Sequence, residues 1–499
     1  MSSRNCSAPI EVFLVILFQT INQKMLEVPT KNFLVNGIWR DSGKTFEVIN
    51  PATLEPAFEV YRPAEEHLQE VIEGLPAGQK AAGSLTTQQR YEILRAAERL
   101  IADRQEELTT SIITEAGKPR RFAESEAFRA TQTFGFAADA LRSLPGEALN
   151  LDVKAGLRNK LGIVKRFPAG PVLGISPFNF PLNLVAHKVA PAIMAGNALV
   201  LKPTSATPVT ALRLGEILLD AGWPPEALSV LPLSGRQTQP LVEHPAFRVV
   251  SFTGSDTVGW GIKASAGKKK VILELGGDAA AVVDETADVQ HAAGQAALGA
   301  YAFAGQVCIS VQRIIVVEAV YDAFKAEFEQ ALKKIRVGDP QENGTIVGPM
   351  IDPGEADRIQ NWVNQAQQAG ASVHGLQRRE GTAFVEPGFL ENLPDKDLKL
   401  NTEEAFAPIA VLVRAPDFNT ALKIVNQSRY GLQAGIFTER HQRLKQAFHQ
   451  LEVGGVVAND SPMFRVDNMP YGGVKDSGFG REGVRYAWEE MTEPRLLVW

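Results

Sequence analysis

The sequence predicts an α/β protein with a doubly wound parallel sheet, a second α/β domain and a β-hairpin arm. Three observations predict it. Six short apolar runs between residues 172 and 283 alternate with helical stretches, as strands of a parallel sheet covered on both faces do. A looser alternation of the same kind fills residues 288–457, and a polar alternating segment at 148–167 has little core of its own. The chain has 499 residues, more than the roughly 250–300 at which a single core stops growing.

Taken in order, the chain opens with residues 1–24, whose run Val12-Phe13-Leu14-Val15-Ile16-Leu17-Phe18 is too short to span a bilayer. With no small-residue cleavage site after it, this stretch reads as a disordered upstream extension rather than a signal peptide, with translation starting at Met25. Alternation at 33–39 and 46–51, closed by Gly and Pro, predicts short strands. Apolar residues at Ile93, Leu94, Ala97, Leu100, Ile101, Leu108 and Ile112 predict helices across 87–117, continuing to about Leu144. The hairpin at 148–167, turning at Ala155-Gly156, exposes edges of the kind that bond to a partner chain.

Strands are then predicted at 172–175, 198–201, 228–231, 249–252, 271–275 and 280–283, with helices at 182–195, 208–221, 236–243 and 255–266. Ligands of such sheets bind beyond the carboxyl ends of the strands. The loops after Ile175, Leu201, Phe252 and Leu275 should therefore hold the chemistry. A helix at 288–304, a strand at 313–317, a helix at 321–335 and strands near 409–413 and 435–437 predict the second domain, 276–476. The first domain spans 25–147 and 168–275. Residues 477–499, closing in the apolar strand Arg495-Leu496-Leu497-Val498-Trp499, go with 148–167 into the arm, where strand exchange between subunits would give a homodimer or homotetramer.

Composition narrows the function. Hydrophobic residues make up 45% and charged residues 22%, the balance of an ordinary soluble globular protein rather than a disordered, collagenous or membrane chain. The net charge is −6 and Lys268-Lys269-Lys270 is the tightest basic run, so neither nucleic acid nor a membrane is an expected partner. Two cysteines, Cys6 and Cys308, are no disulfide framework and fit a cytoplasmic protein. Cys6 is expected to be inert, and no metal site is expected.

Both familiar dinucleotide fingerprints are missing: no G-x-G-x-x-G follows a strand, and Gly254-Ser255-Asp256-Thr257-Val258-Gly259 lacks the Lys-Ser/Thr of a P-loop. Phe252-Thr253-Gly254-Ser255 still joins a strand to a helix start, where free amides and the Ser255 hydroxyl either receive a pyrophosphate or cap the helix. Val271-Ile272-Leu273-Glu274-Leu275-Gly276-Gly277 buries a carboxylate. Glu274 should therefore be paired with backbone amides at the glycine turn, or have a raised pKa suited to a general base. Cys308, on the loop Gly305-Gln306-Val307-Cys308-Ile309-Ser310 between a helix and a strand, is a candidate nucleophile or a buried apolar filler.

These segments resemble a known family. Pro177-Phe178-Asn179-Phe180-Pro181, Leu201-Lys202-Pro203, Phe252-Thr253-Gly254-Ser255, Leu273-Glu274-Leu275-Gly276-Gly277, Gly305-Gln306-Val307-Cys308, Glu403-Glu404-Ala405-Phe406-Ala407-Pro408 and Pro470-Tyr471-Gly472-Gly473-Val474-Lys475-Asp476-Ser477-Gly478 are similar to aldehyde dehydrogenase motifs, in family order, over about residues 30–499. The resemblance implies NAD(P)-dependent oxidation of an aldehyde to its acid. Cys308 would form a thiohemiacetal and then a thioester, Asn179 and the Cys308 amide would hold the oxyanion, and Glu274 would activate the hydrolytic water. It also implies a cofactor site of Lys202, Ser205, Gly254, Ser255, Glu404 and Phe406, with Pro177 and Phe178 beside them. Alternatively, Asn179 caps the following helix, Lys202 is a solvated strand end and Glu404 a loop charge.

Two departures matter. Ser205 stands where NAD-preferring relatives tend to carry a glutamate, so NADP should be accepted and even preferred. Ala407 replaces the glycine of the usual Glu-x-Phe-Gly-Pro motif, a change that could alter loop mobility. Glu126-Ala127-Phe128-Arg129 and Met463-Phe464-Arg465-Val466-Asp467 resemble the branch acting on lactaldehyde, glyceraldehyde 3-phosphate or phosphonoacetaldehyde. In that reading Arg129 and Arg465 bind the tail of a small polar aldehyde; otherwise they are surface or inter-subunit ion-pair residues. A coenzyme A-acylating enzyme of the same fold and a scaffold that lost turnover are the rival readings.

Overall fold

Eight strands form the first sheet, in the order Gly478–Phe479, Lys270–Glu274, Val249–Thr253, Val172–Ile175, Leu199–Lys202, Leu228–Val230, Phe33–Val35 and Ile38–Arg40. The five from Lys270–Glu274 to Leu228–Val230 run parallel. Val172–Ile175 and Val249–Thr253 are buried at every residue, which is why these segments lack polar alternation. The computed structural model describes residues 28–144, 146–154, 156–394 and 397–499. The extension at 1–24 with Cys6, and the turn residue Ala155, lie outside them.

Chain order and spatial order part company after Leu228–Val230, where the chain returns to place Val249–Thr253 on the far side of Val172–Ile175. The loops leaving these two neighbours splay apart at such a reversal and open a crevice. Those loops are Ser176–Asn179 and Gly254–Ser255. The helices that cover the sheet lie close to their expected positions, at Asn183–Ala195, Val209–Asp220, Gly235–Glu243 and Asp256–Ser265.

The last of the six expected runs, Ala280–Val283, belongs to the second sheet instead. There it lies between Arg313–Val317 and Gln433–Phe437, parallel to both. Ala281 and Val283 pack into one apolar cluster, Ala280 and Val282 into another. Two-sided burial explains the unbroken apolar run but does not say which sheet it joins.

Three further differences from the sequence reading have local causes. The helix expected at 288–304 ends at Tyr301, because Phe303, Ala304 and Gly305 adopt left-handed φ values of 52°, 54° and 68°. A Cβ on Gly305 would stand 2.0 Å from the Ala407 carbonyl oxygen, so only glycine fits there. Helix Glu65–Ser84 was not anticipated, since Pro76 interrupts its pattern. The segment 477–491, assigned to the arm, instead completes the first domain. Gly478–Phe479 pairs with Lys270–Glu274, and Val484, Trp488 and Met491 join the first core.

The arm is thereby a three-stranded antiparallel sheet of Glu147–Asn150, Leu161–Pro168 and Thr492–Val498. Leu496, Leu497, Val498 and Trp499 are exposed on it.

Helices Thr87–Asp103, Gln105–Ala116 and Arg120–Ser143 support the crevice from behind. Glu115 is fully buried and accepts hydrogen bonds from the Val209 and Thr210 amides at 2.8 and 2.9 Å, capping the buried helix Val209–Asp220. Glu115→Gln leaves one of these amides facing an NH₂ group. We expect a loss of about 1–3 kcal/mol in urea-unfolding stability; unchanged stability would show that the cap is not needed.

Candidate active site

The crevice at the strand reversal is a cleft of about 300 Å³ lined by Pro177, Phe178, Gly254, Ser255, Glu404 and Phe406, with Asn179, Glu274 and Cys308 at its inner end. A second cavity of about 60 Å³, lined by Arg129, Phe180, Met463, Arg465 and Tyr471, reaches Cys308 from the other side. The Cys308 side chain stands at the junction of the two. Its loop follows the left-handed turn at 303–305, and the Cys308 carbonyl lies so close to Gly277 that a Cβ there would approach to 2.7 Å.

The Cys308 sulfur is 2.9 Å from the Tyr471 hydroxyl. Burial and the neighbouring Glu274 carboxylate push the thiol well above its ordinary pKa. Glu274 closes strand Lys270–Glu274 at 2% exposure, and its Oε1 has no hydrogen-bond partner. Desolvation, reinforced by Glu482, raises it to about 7. The glycine-turn amide of Gly277 is instead bonded at 2.9 Å to Glu404, so Glu274 is not the structural cap of that turn.

Asn179 does not cap the helix that follows it either. The Leu182 and Asn183 amides donate to Glu126 at 2.9 and 3.1 Å. Asn179 Nδ2 donates to the Gln306 carbonyl at 2.9 Å. One amide hydrogen is thus committed and the other is left for a ligand beside Cys308.

Among the expected cofactor residues, Pro177, Phe178, Gly254, Ser255, Glu404 and Phe406 share the cleft wall. Phe178 and Phe406 meet edge to face at 5.8 Å. Ser255 occupies the N-cap of helix Asp256–Ser265 without using its side chain as a cap. Desolvation raises Glu404 to about 8, and a Cβ on Gly276 would come within 2.5 Å of it. Lys202 and Ser205 lie off the cleft wall. Lys202 ends the strand beside Ile175, and burial lowers its ammonium to about 8. Ser205 Oγ makes only a 3.5 Å bond, to the Leu233 carbonyl. A helix start with an idle hydroxyl, a desolvated cation and a half-buried carboxylate are groups that fit a dinucleotide's phosphates and riboses.

Arg129 and Arg465 come together in the small cavity, each tied to a buried carboxylate. Arg129 donates twice to Asp467, at 3.0 and 2.7 Å. Asp467 also accepts from Asn183 at 3.0 Å and lies 2.8 Å from His187 Nε2. Arg465 donates to Glu482 at 3.1 Å, and Lys188 reaches the same carboxylate at 3.2 Å. Arg129 and Arg465 are the two cations that line this cavity, and the Arg465 Nε has no partner. This excludes the reading of Arg465 as a surface residue, since its side chain is 7% exposed.

Sequence reasoning missed the groups behind the site. Lys118, fully buried, pairs with Glu126 and stands 3.6 Å from the Phe180 ring and 4.7 Å from the Phe303 ring. It therefore links the loop of Asn179 to the loop of Cys308. A lysine set between Ala116-Gly117 and Pro119, between two helices, is the only signal that could have pointed to it. Tyr471 and Asp467 lay inside motifs already noted, but nothing in one sequence gives them partners.

Among the described residues no cluster of His, Cys, Asp and Glu could hold a metal ion, and no helix is long and apolar enough to cross a membrane. Comparison with known proteins matches residues 39–497 to the aldehyde dehydrogenase family. The chain is 38% identical to 3-sulfolactaldehyde dehydrogenase of Priestia megaterium over 475 residues, 95% of this chain and 99% of that one. Aldehyde dehydrogenase 21 from Physcomitrella patens, solved with its reaction product succinate, superposes with a TM-score of 0.92 at 40% identity, covering 95% of this chain and 99% of that one. Glyceraldehyde-3-phosphate dehydrogenase from Methanocaldococcus jannaschii, solved with NADP, gives a TM-score of 0.87 at 36% identity, covering 92% and 100%.

The Lys118–Glu126 pair sets a stability prediction. Lys118→Met strands a buried carboxylate and should cost about 3–5 kcal/mol in urea unfolding. Adding Glu126→Gln should recover more than half of it, and a double variant no more stable than Lys118→Met would contradict the pairing.

Proposed function

The chain belongs to the aldehyde dehydrogenase family and is an NAD(P)-dependent oxidoreductase that converts small aldehydes to acids; on that premise we propose that Cys308 is the nucleophile, Asn179 the oxyanion donor and Glu274 the hydrolytic base. The observation that carries this reading is the Cys308 side chain at the junction of two cavities, one lined by cofactor-type groups and one by arginines. Cys308 loses its thiol proton to Glu274, which passes it to solvent through the cleft, and Sγ bonds to the aldehyde carbon, whose oxygen becomes an oxyanion held by the free Asn179 amide hydrogen and the Cys308 N–H. Ser255, Glu404 and Phe406, with Lys202 beside them, would hold a dinucleotide whose nicotinamide would accept the hydride lost by that carbon as the adduct becomes a thioester. Glu274 then takes a proton from water, which attacks the thioester carbon and releases the acid while the sulfur leaves.

The small cavity accounts for substrate choice. Its two arginines and the unsatisfied Arg465 Nε favour a short aldehyde with an anionic or hydroxylated tail, in keeping with the sulfo group in one relative's name and the succinate product bound to another. Lys202, with Ser205 in place of a glutamate that would repel a 2′-phosphate, favours NADP over NAD. Glu274 beside Cys308 argues against acyl transfer to coenzyme A, because a hydrolytic base competes with a thiol acceptor. A scaffold would have no use for this arrangement. We read residues 25–147 and 168–275, with 477–491, as the cofactor domain and 276–476 as the catalytic domain. The exposed apolar strand Thr492–Val498 and the hairpin would join subunits in a homodimer or homotetramer. A free-thiol nucleophile suits a reducing, cytoplasmic setting.

Steady-state assays with short anionic aldehydes test this reading. Cys308→Ser should abolish NADPH formation, and equal residual activity in wild type would refute it. Arg129→Ala with Arg465→Ala should lower kcat/KM for anionic substrates at least tenfold more than for hexanal; equal losses for both would place the tail elsewhere. Glu274 must be ionised to act and its pKa is raised to about 7, so the hydrolytic step should rise with pH to a plateau above neutrality. Glu274→Gln should slow that step by about 10²–10⁴-fold and flatten its pH profile; a retained profile would assign the base elsewhere. Product analysis with coenzyme A present should still give the free acid, and acyl-CoA would support the rival.

A further inference from the structure

Three groups that titrate or carry charge face the Cys308 sulfur: Glu274 from strand Lys270–Glu274, and Tyr471 and Arg465 from the loop after Gly455–Ala458. Behind Glu274 stand Glu482 and Lys188. Glu274, when ionised, only accepts hydrogen bonds, and it opposes a second negative charge on the sulfur. Arg465 is committed to Glu482 and stacks its guanidinium 3.7 Å from the Tyr471 ring centroid. Asn179 gives one amide hydrogen to Gln306. The Tyr471 hydroxyl, 2.9 Å from Sγ and sealed from solvent at 2% exposure, is the group placed to donate to the sulfur itself.

We propose that Tyr471 is a catalytic residue whose hydroxyl donates to the Cys308 thiolate, with Arg465 stacked on its ring to strengthen that donor. The chemistry is specific to the ionised sulfur. A neutral thiol can donate to Glu274 or to Tyr471, whereas a thiolate only accepts, and a charge-assisted O–H donor stabilises it most. The cation over the ring face favours electron density on the aromatic system, so the phenol proton becomes more acidic and the hydrogen bond stronger. Arg465 would then act twice, on the substrate tail through its free nitrogens and on the nucleophile through the tyrosine ring. The proposal rests on the reading of Cys308 as the nucleophile, but it concerns the resting enzyme and is tested without turnover.

The test is the pH dependence of Cys308 alkylation by iodoacetamide in the full-length enzyme without substrate, followed on the Cys308 peptide by mass spectrometry so that Cys6 does not contribute. The midpoint is the readout, because thiolate nucleophilicity itself changes with pKa. Tyr471→Phe removes only the hydroxyl and should raise the midpoint by about one unit or more, a tenfold smaller thiolate fraction at pH values below both midpoints. Installing 3-fluorotyrosine at position 471 keeps the shape, makes the phenol more acidic and should lower the midpoint. Loss of packing alone would move neither. A fluorotyrosine midpoint equal to or above wild type overturns the proposal, including in the case where Tyr471→Phe fails to fold. A Phe variant that folds, binds NADP and titrates like wild type also overturns it. If Cys308→Ser kept its turnover, the nucleophile reading would fail instead, whatever the alkylation profile.

Discussion

A carboxylate buried among three elements sets the shape of this site. Glu126 is 1% exposed, a position where an unpaired charge would be prohibitive. It is made tolerable by the Lys118 ammonium and by two amides at the start of helix Asn183–Ala195. The consequences spread in both directions. Lys118 lies over Phe180, next to Asn179, and over Phe303, at the left-handed turn before Cys308. One helical turn beyond Glu126 on the same helix, Arg129 is aimed at Asp467. A single ion pair thus fixes Asn179, the Cys308 loop and Arg129 relative to each other. Preorganisation of this kind lets donors act on charge as it develops, without reorganising.

The other buried charges follow the same logic with a different balance. Asp467 and Glu482 are held by cations and sit far below or low in the carboxylate range, Glu482 at about 2. Glu274 and Glu404 have fewer partners and are pushed up to about 7 and about 8. Asp467 and Glu482 are therefore ionised throughout the physiological range, whereas Glu274 and Glu404, which line the cleft, lie near neutrality. A group poised near neutrality beside neighbours that stay charged is suited to proton exchange.

Much of this was legible in the sequence. Both central sheets were visible because two-sided burial writes uninterrupted apolar runs such as Val172–Ile175 and Ala280–Val283. Glu274 and Cys308 stood out because each places a reactive group in an unusual setting, a carboxylate in an apolar strand and a thiol on a loop between elements, whereas Asn179 entered only through the family resemblance. What was not legible was long-range pairing. Nothing local distinguishes a strand of the second sheet from one of the first, and Ala280–Val283 reads like the five runs before it although the expected boundary at 276 sets it in the second domain. Nor does any local pattern tie Lys118 to Phe303 or Tyr471 to Cys308, separated by 163 positions. Nothing in the sequence around Gly305 signals that the Ala407 carbonyl leaves no room for a side chain there. The substitution of Ala407 for the family glycine sits at that same contact, and its methyl group is buried.

The central claim is that one sulfur carries the acyl group while one carboxylate releases it. Rapid quenching of the Glu274→Gln enzyme after mixing with NADP and a short anionic aldehyde, followed by peptide mass spectrometry, addresses it directly. The account predicts an acyl mass increment on the Cys308 peptide, formed with one equivalent of NADPH and persisting for many wild-type turnover times. A full equivalent of NADPH with Cys308 unmodified, or with the increment on another residue, would contradict it.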